Sequence, residues 1–382
     1  MRINPFNRKR KLLFAICSLC VFVILFVCYS ISDLTQRVYR KRHFMVIKSN
    51  NSRYESKLIT YQNGSDKTKH ISTVHGQGEA GEELKYPIKM QPNLDRLINW
   101  TYPKYPMNSE YVIENKELCA SVKNLTVLVV VNSATDHFKR RQAIRKTWTN
   151  DTYYSHLGTV RVLFLLGRNV NPSVQVRVEK EFKEYGDILQ GDFIDAYFNL
   201  THKGVMGYKW LTERCRNAKM ILKSDDDFLV NMFVYFRKLG ELLPSTNVYC
   251  EYQPSRIFRN NKNKWYVSED HFRGEKFYDR YCTGKFVSMT NDIIPSLYIS
   301  ATKTPFFPYD DVLLFGYVMR NVQGLGYETI EEKDFEFRNS KALSCLKVKQ
   351  NYCSKFIIGA NGVKEMETTW VMILRHFSSL SS

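Results

Sequence analysis

Between residues 125 and 224 the chain alternates short, valine-rich apolar runs with segments of helix length, and nothing else in it narrows the fold as much. The runs are LTVLVVVNSA from Leu125, VRVLFLLG at 160–167, ILQGDF at 188–193 and MILKS at 220–224. Each is too short for a helix of its own and reads as a buried strand. The segments at 137–148, around 173–185 and at 202–217 read as helices. Strands separated by helices predict an α/β domain, its sheet mostly parallel and covered by helices on both faces. In open sheets of this kind, ligands bind beyond the carboxyl ends of the strands.

That rule gives a place to MILKSDDDFLVN at 220–231, where Asp225, Asp226 and Asp227 follow a strand and precede a helix starting near Asn231. Adjacent carboxylates repel, and burying them unpaired is costly, so a cation or water must answer them. A hard divalent cation, Mn²⁺ or Mg²⁺, takes one or two carboxylates together with the phosphates of a bound nucleotide. On an extended turn Asp225 and Asp227 can point the same way, one reaching the metal, the other its waters or the nucleotide sugar, and Asp225 and Asp226 are the expected carboxylate contacts of the nucleotide. An EF-hand is excluded, because its glycine and glutamate positions do not match. A phosphatase-type aspartate nucleophile is disfavoured by Leu229, which stands where a small residue or threonine belongs. The remaining alternative is a solvated, helix-capping turn, against which the apolar residues on either side argue.

Upstream, Leu12 to Ile31 carries no charge over twenty residues, long enough at about 1.5 Å per residue to cross about 30 Å of hydrocarbon. It reads as a signal-anchor rather than a cleaved signal peptide, with no small-residue cleavage site beside it. Sequons at Asn50, Asn63, Asn99, Asn124, Asn150 and Asn199 favour a lumenal body. Of the nine cysteines, six lie outside the span, which permits three disulfides; Cys119 with Cys215 and Cys345 with Cys353 are the expected pairs. The net charge of +18 does not require nucleic acid, since the membrane flanks in residues 1–48 supply half of it. The expected organisation is a cytosolic tail at 1–11, the span at 12–31, a polar Gly/Pro-punctuated stem at 32–115 and a catalytic domain at 116–382. The tail beyond about residue 340 shows no readable period.

Several stretches occur in a telling order: RRQAIRKTW (140–148), FLLG (164–167), EYGDILQGDFIDAYFNLTHK (184–203), LKSDDDFLVN, YCTG (281–284) and YDDVLLFG (309–316). Together they resemble the β-1,3-galactosyltransferase-type glycosyltransferases over roughly residues 118–320. The resemblance implies a type II Golgi membrane enzyme with a Rossmann-like GT-A fold, a UDP-sugar donor and Mn²⁺. It implies transfer of galactose or an N-acetylhexosamine to the 3-hydroxyl of a glycan acceptor on protein or lipid, with inversion. The rival reading is a membrane-tethered glycan-binding protein of the same fold without turnover.

Inversion in one displacement needs a carboxylate to take the hydroxyl proton and a cation on the leaving diphosphate. The family's acidic pair falls on Asp310 and Asp311, with Asp311 expected as the base and Asp310 as runner-up; helix capping is their alternative role. By the same resemblance Arg141 and Arg145 approach the nucleotide or else pair with structural carboxylates, and Lys223 holds the nucleotide or braces the acids. Cys282 and Gly284 line the sugar pocket, Gly284 by letting backbone approach a ligand. One departure stands out: the late histidine that many members carry before a Glu-Met-x-x-x-Trp segment is absent ahead of EMETTW (365–370), and His376 lies beyond it. The expected metal site rests on the aspartates.

Overall fold

Along Leu125–Asn132 (strand β2) every residue but Thr126 is buried, as expected of a central strand covered on both faces. Its side chains alternate, Leu128 and Val130 entering one apolar layer and Val127, Val129 and Val131 the other. The first layer holds the helices Leu200–Arg214 and Ile294–Lys303, the second the helices Phe138–Lys146 and Met232–Glu241. The result is a sheet between two helical layers.

The computed structural model describes residues 84–92, 94, 106–347 and 353–378, all within the unit Gly78–Ser382. The expected span at 12–31, the tail at 1–11, most of the stem and Asn50, Asn63 and Asn99 lie outside the described residues. Among the described residues no helix is long and apolar enough to cross a membrane.

The remaining strands are Tyr111–Ile113 (β1), Thr159–Arg168 (β3), Ile188–Ile194 (β4), Met220–Asp225 (β5), Phe228–Val230 (β6), Val248–Gln253 (β7), Tyr281–Thr290 (β8), Tyr327–Thr329 (β9), Phe335–Glu336 (β10) and Ile357–Gly359 (β11). The main sheet runs β1-β4-β3-β2-β5-β8-β7-β9. The four expected strands are its parallel core; β1 pairs antiparallel with β4, and β8 antiparallel with both β5 and β7. In register, Asn132 at the end of β2 faces Asp225 at the end of β5. Antiparallel β8 starts beside that same edge, which brings Gly284 to it.

Local signals account for the helix ends. Asn171 caps the helix Pro172–Tyr185 by accepting from the Ser173 N–H, Pro172 supplies the first helical φ, and Gly186 closes it at φ 65°. Asn231 caps Met232–Glu241 in the same manner through the Val234 N–H.

Three features differ from expectation. The folded domain expected from residue 116 takes in earlier residues, because β1 joins the main sheet and Ile88 bridges Val322. The helix foreseen after Asp311 turns at Leu313 into a π-helical stretch to Val318, a form that recurs at functional sites. The unreadable tail supplies the helix Asn339–Lys347, the helix Val363–Ser378 and β11, which joins β10 and β6 in a second sheet. Disulfides join Cys119 to Cys215, Cys345 to Cys353 and Cys250 to Cys282.

Candidate active site

Asp225 ends β5 with its side chain 38% exposed, and Lys223, two residues earlier on the same strand face, reaches it at 2.8 Å. Lys223 is buried and also donates to the Gly284 carbonyl. Burial alone would drive its ammonium toward neutrality, but the carboxylates of Asp225, Asp310 and Asp311 outweigh burial and raise its pKa. Of the two roles expected for Lys223, the contacts are those of a brace for the acids.

Asp310 and Asp311 open the helical turn that precedes the π-helical stretch. Both are shifted upward, first by burial; Asp311 and then Asp225 add to the shift of Asp310, Asp225 adds to that of Asp311, and Lys223 opposes both. The carboxylate of Asp311 lies directly against Gly284, where a Cβ would stand 1.8 Å from Oδ1. Gly284 was expected to admit a ligand; the close approach it permits is that of Asp311.

The three consecutive aspartates face different surroundings. Asp226, expected at the nucleotide, turns inward instead. Its carboxylate accepts from Ser133 Oγ at 2.7 Å and Arg140 Nη1 at 3.1 Å, and meets His137 Nδ1 at 2.7 Å. Burial pushes its pKa up, but these donors more than offset that and hold it below the usual carboxylate range. Asp226 thereby ties the acid turn to the loop after β2. Asp227 is half-buried and shifted upward, by burial first and then by Asp225 and Asp226; its carbonyl accepts from the Ala360 N–H at 2.7 Å.

Arg141 and Arg145 are corrected likewise. Arg141 is fully buried, pairs with Glu181 at 2.6 Å and donates to the Ala134 and Thr135 carbonyls at 2.6 and 3.1 Å. Arg145 forks onto Asp187 with two bonds of 2.7 Å and reaches Glu181 at 2.7 Å. Both take the structural alternative, because a buried guanidinium requires carboxylate partners and Glu181 and Asp187 supply them. Cys282 is corrected as well: it is fully buried in its disulfide with Cys250, and Thr283 rather than Cys282 lines the cleft.

That cleft, about 450 Å³, is lined by Asp225, Gly284, Lys285, Asp310 and Asp311 together with Tyr197, Phe258, Trp265, Tyr281, Tyr309 and Phe337. It unites the two acidic motifs, separated by more than eighty residues in the chain. Sequence reasoning passed over the aromatic wall; a tryptophan set in the polar run NNKNKW was the available signal.

Among the described residues no group of three or more His, Cys, Asp or Glu is gathered as a complete metal cage. His376 is buried and accepts from the Cys353 N–H at 3.3 Å, beside the Cys345–Cys353 disulfide. The donor set at the acid turn fits a hard cation held jointly with phosphates. Asp225 opens on the cleft, and Asp227 has a carboxylate whose charge its neighbours disfavour.

Of the described sequons, Asn124 is exposed and Asn150 half-buried as a helix cap. Asn199 is buried and its amide donates to the Ile194 carbonyl at 2.8 Å, so in the folded domain it is not presented as a glycan acceptor.

Comparison with known proteins gives the family. The family model described as Galactosyltransferase matches residues 139–325. Beta-1,3-galactosyltransferase 1 of Mus musculus is 32% identical over 241 residues, 62% of this chain and 71% of that one. UDP-GalNAc:beta-1,3-N-acetylgalactosaminyltransferase 1 of Rattus norvegicus is 27% identical over 299 residues, 74% of this chain and 86% of that one. Lactosylceramide 1,3-N-acetyl-beta-D-glucosaminyltransferase B of Danio rerio is 33% identical over 221 residues, 54% of this chain and 56% of that one. With the two acidic motifs and Gly284 brought to one cleft and relatives of this extent, the chain belongs to the galactosyltransferase family and is a glycosyltransferase of the β-1,3-galactosyltransferase type.

Proposed function

We propose that the chain transfers galactose or an N-acetylhexosamine from a UDP-sugar to the 3-hydroxyl of an acceptor sugar, with inversion, giving a β-1,3 linkage on a glycoprotein or glycolipid. The observation that carries this reading is the carboxylate of Asp311 seated against Gly284 in the cleft that Asp225 enters, with the Lys223 ammonium joining Asp225 to the Gly284 carbonyl.

Asp311 accepts the proton of the acceptor hydroxyl as its oxygen bonds to the anomeric carbon and the bond from that carbon to the UDP oxygen breaks. Its upward-shifted pKa strengthens it as a base relative to an ordinary aspartate. Lys223 opposes the protonation that burial favours in these acids and fixes the strand edge that carries Gly284. Asp225 and Asp227 would hold Mn²⁺ or Mg²⁺ with the donor's diphosphate, and such a cation stabilises the charge of the departing UDP. Asp226 and Arg141 hold the loop after β2 in place beside them.

The apolar span at 12–31 supports a type II orientation in the Golgi membrane with this domain in the lumen, where disulfides persist. UDP release measured with Mn²⁺ over a panel of UDP-sugars, for wild type, Asp227→Ala and Asp311→Asn, tests the proposal. Wild-type turnover with one donor and loss in both variants supports it. Equal rates in all three would show the site to be misassigned, and glycan binding without UDP release would favour the non-catalytic rival.

A further inference from the structure

Trp265 is 49% exposed and lines the cleft that Asp311 enters, offering a ligand there a large aromatic surface. It is also held still. Its indole N–H donates to Tyr197 Oη at 2.8 Å, and Phe258 packs against its ring at 5.7 Å. The supporting loop is fixed from beneath, where Arg259 donates to the carbonyls of Val267, Ser268, His271 and Phe272 at 2.6–3.1 Å.

This rigid pair stands next to the proposed base. Tyr309, which immediately precedes Asp310 and Asp311, donates its hydroxyl to the Tyr266 carbonyl at 2.7 Å. Trp265, Tyr197 and Asp311 line one cleft. The ammonium of Lys264 lies 4.1 Å from the centre of the Tyr197 ring and 5.8 Å from that of Trp265, so the pair carries a cation that sits closer to Tyr197 than to the indole.

A flat, rigid aromatic face beside a base that deprotonates a sugar hydroxyl matches one ligand chemistry well: a pyranose presenting a C–H face. We propose that Trp265, locked by Tyr197, is the shelf on which the acceptor's terminal pyranose lies, and that it selects galacto-configured acceptors. In these sugars the hydrogens on C3, C4 and C5 form one apolar patch, whereas the gluco epimer turns its C4 hydrogen to the other face. The proposal rests on the transferase reading for its direction, since it assigns the shelf to the acceptor and not to the donor.

Saturation-transfer NMR on the full-length protein in detergent micelles tests the shelf without requiring turnover, with methyl β-galactopyranoside and methyl β-glucopyranoside as probes. The galactoside should show saturation centred on H3, H4 and H5, lost in Trp265→Ala and kept in Trp265→Phe. Phe277→Ala, which removes a comparably exposed ring outside the cleft, should leave the signal unchanged. In initial-rate kinetics Trp265→Ala should raise the galactoside acceptor KM about tenfold or more while the donor KM stays put. Equal galactoside signal in wild type and Trp265→Ala overturns the shelf, and equal glucoside and galactoside signals overturn its selectivity. A donor KM rising in step with the acceptor KM overturns the assignment to the acceptor. Failure of the transferase reading would appear separately, as no UDP release from any donor, while the NMR result still decides the shelf.

Discussion

Asp226 in the acid turn and the Asp310–Asp311 pair are built from the same residue near one edge of the sheet, yet their surroundings push these acids in opposite directions. Asp226 is surrounded by Ser133, His137 and Arg140 and is held ionised. Asp310 and Asp311 are shifted upward, with Lys223 the main group opposing burial. Asp226 ties loops together through a satisfied carboxylate; the Asp310–Asp311 pair keeps carboxylates strained toward protonation, the condition that suits proton transfer. Identical side chains thus divide into scaffold and chemistry by the number of donors each meets.

The sharpest break of that contrast is Asp311→Asn, which keeps the shape against Gly284 and removes the proposed base. Transfer should fall about 10²–10⁴-fold with the melting temperature little changed, and a variant as active as wild type would place the base elsewhere. Next comes Gly284→Ala. Its Cβ would stand 1.8 Å from Asp311 Oδ1, so the carboxylate must move, and a loss of roughly 10²-fold in kcat is expected from such a displacement. Normal kcat would mean that the seat on Gly284 is immaterial.

Asp226→Ala should act on stability more than on chemistry. It leaves Ser133, His137 and Arg140 without their shared acceptor, a cost of about 1–3 kcal/mol, read as a lower denaturant midpoint. The smallest effect is the pH dependence, and it has opposite signs in the two clusters. Asp226 has a folded pKa below its unfolded one, so its contribution is present at neutral pH and lost as pH falls through the folded value. Asp310 is pushed up to about 7, so its contribution is full in acid and is lost as pH rises toward that value. Melting curves across pH should therefore show Asp226→Asn destabilised most near neutrality, and Asp310→Asn relatively more stable there than in acid. Parallel curves would erase the distinction.

Much of the sheet was legible because its signals are local. Valine-rich runs, the Asn171-Pro172 start and Gly186 stop of one helix, and the Asn231 cap of another each state their role within a few residues. The position of the acid turn followed from strand order alone. The fates of Arg141 and Arg145 were not legible, because an arginine on a helix face looks the same whether its carboxylate partner is a nucleotide's neighbour or Glu181, forty residues on. Gly284 was singled out, but the group it makes room for comes from another motif. The tail gave no period because β11 is three residues long and gains its meaning only from β6 and β10.

That tail has a bearing on how the protein is made. The Ala360 N–H closes on the Asp227 carbonyl, and Arg140 donates to the Asn361 carbonyl at 2.7 Å, so the acid turn is latched by residues the ribosome adds more than a hundred positions later. Until they emerge, three neighbouring negative charges wait at an unfinished rim, and a chain stopped short of Ala360 would carry every acid of the site without the clasp that holds them in place.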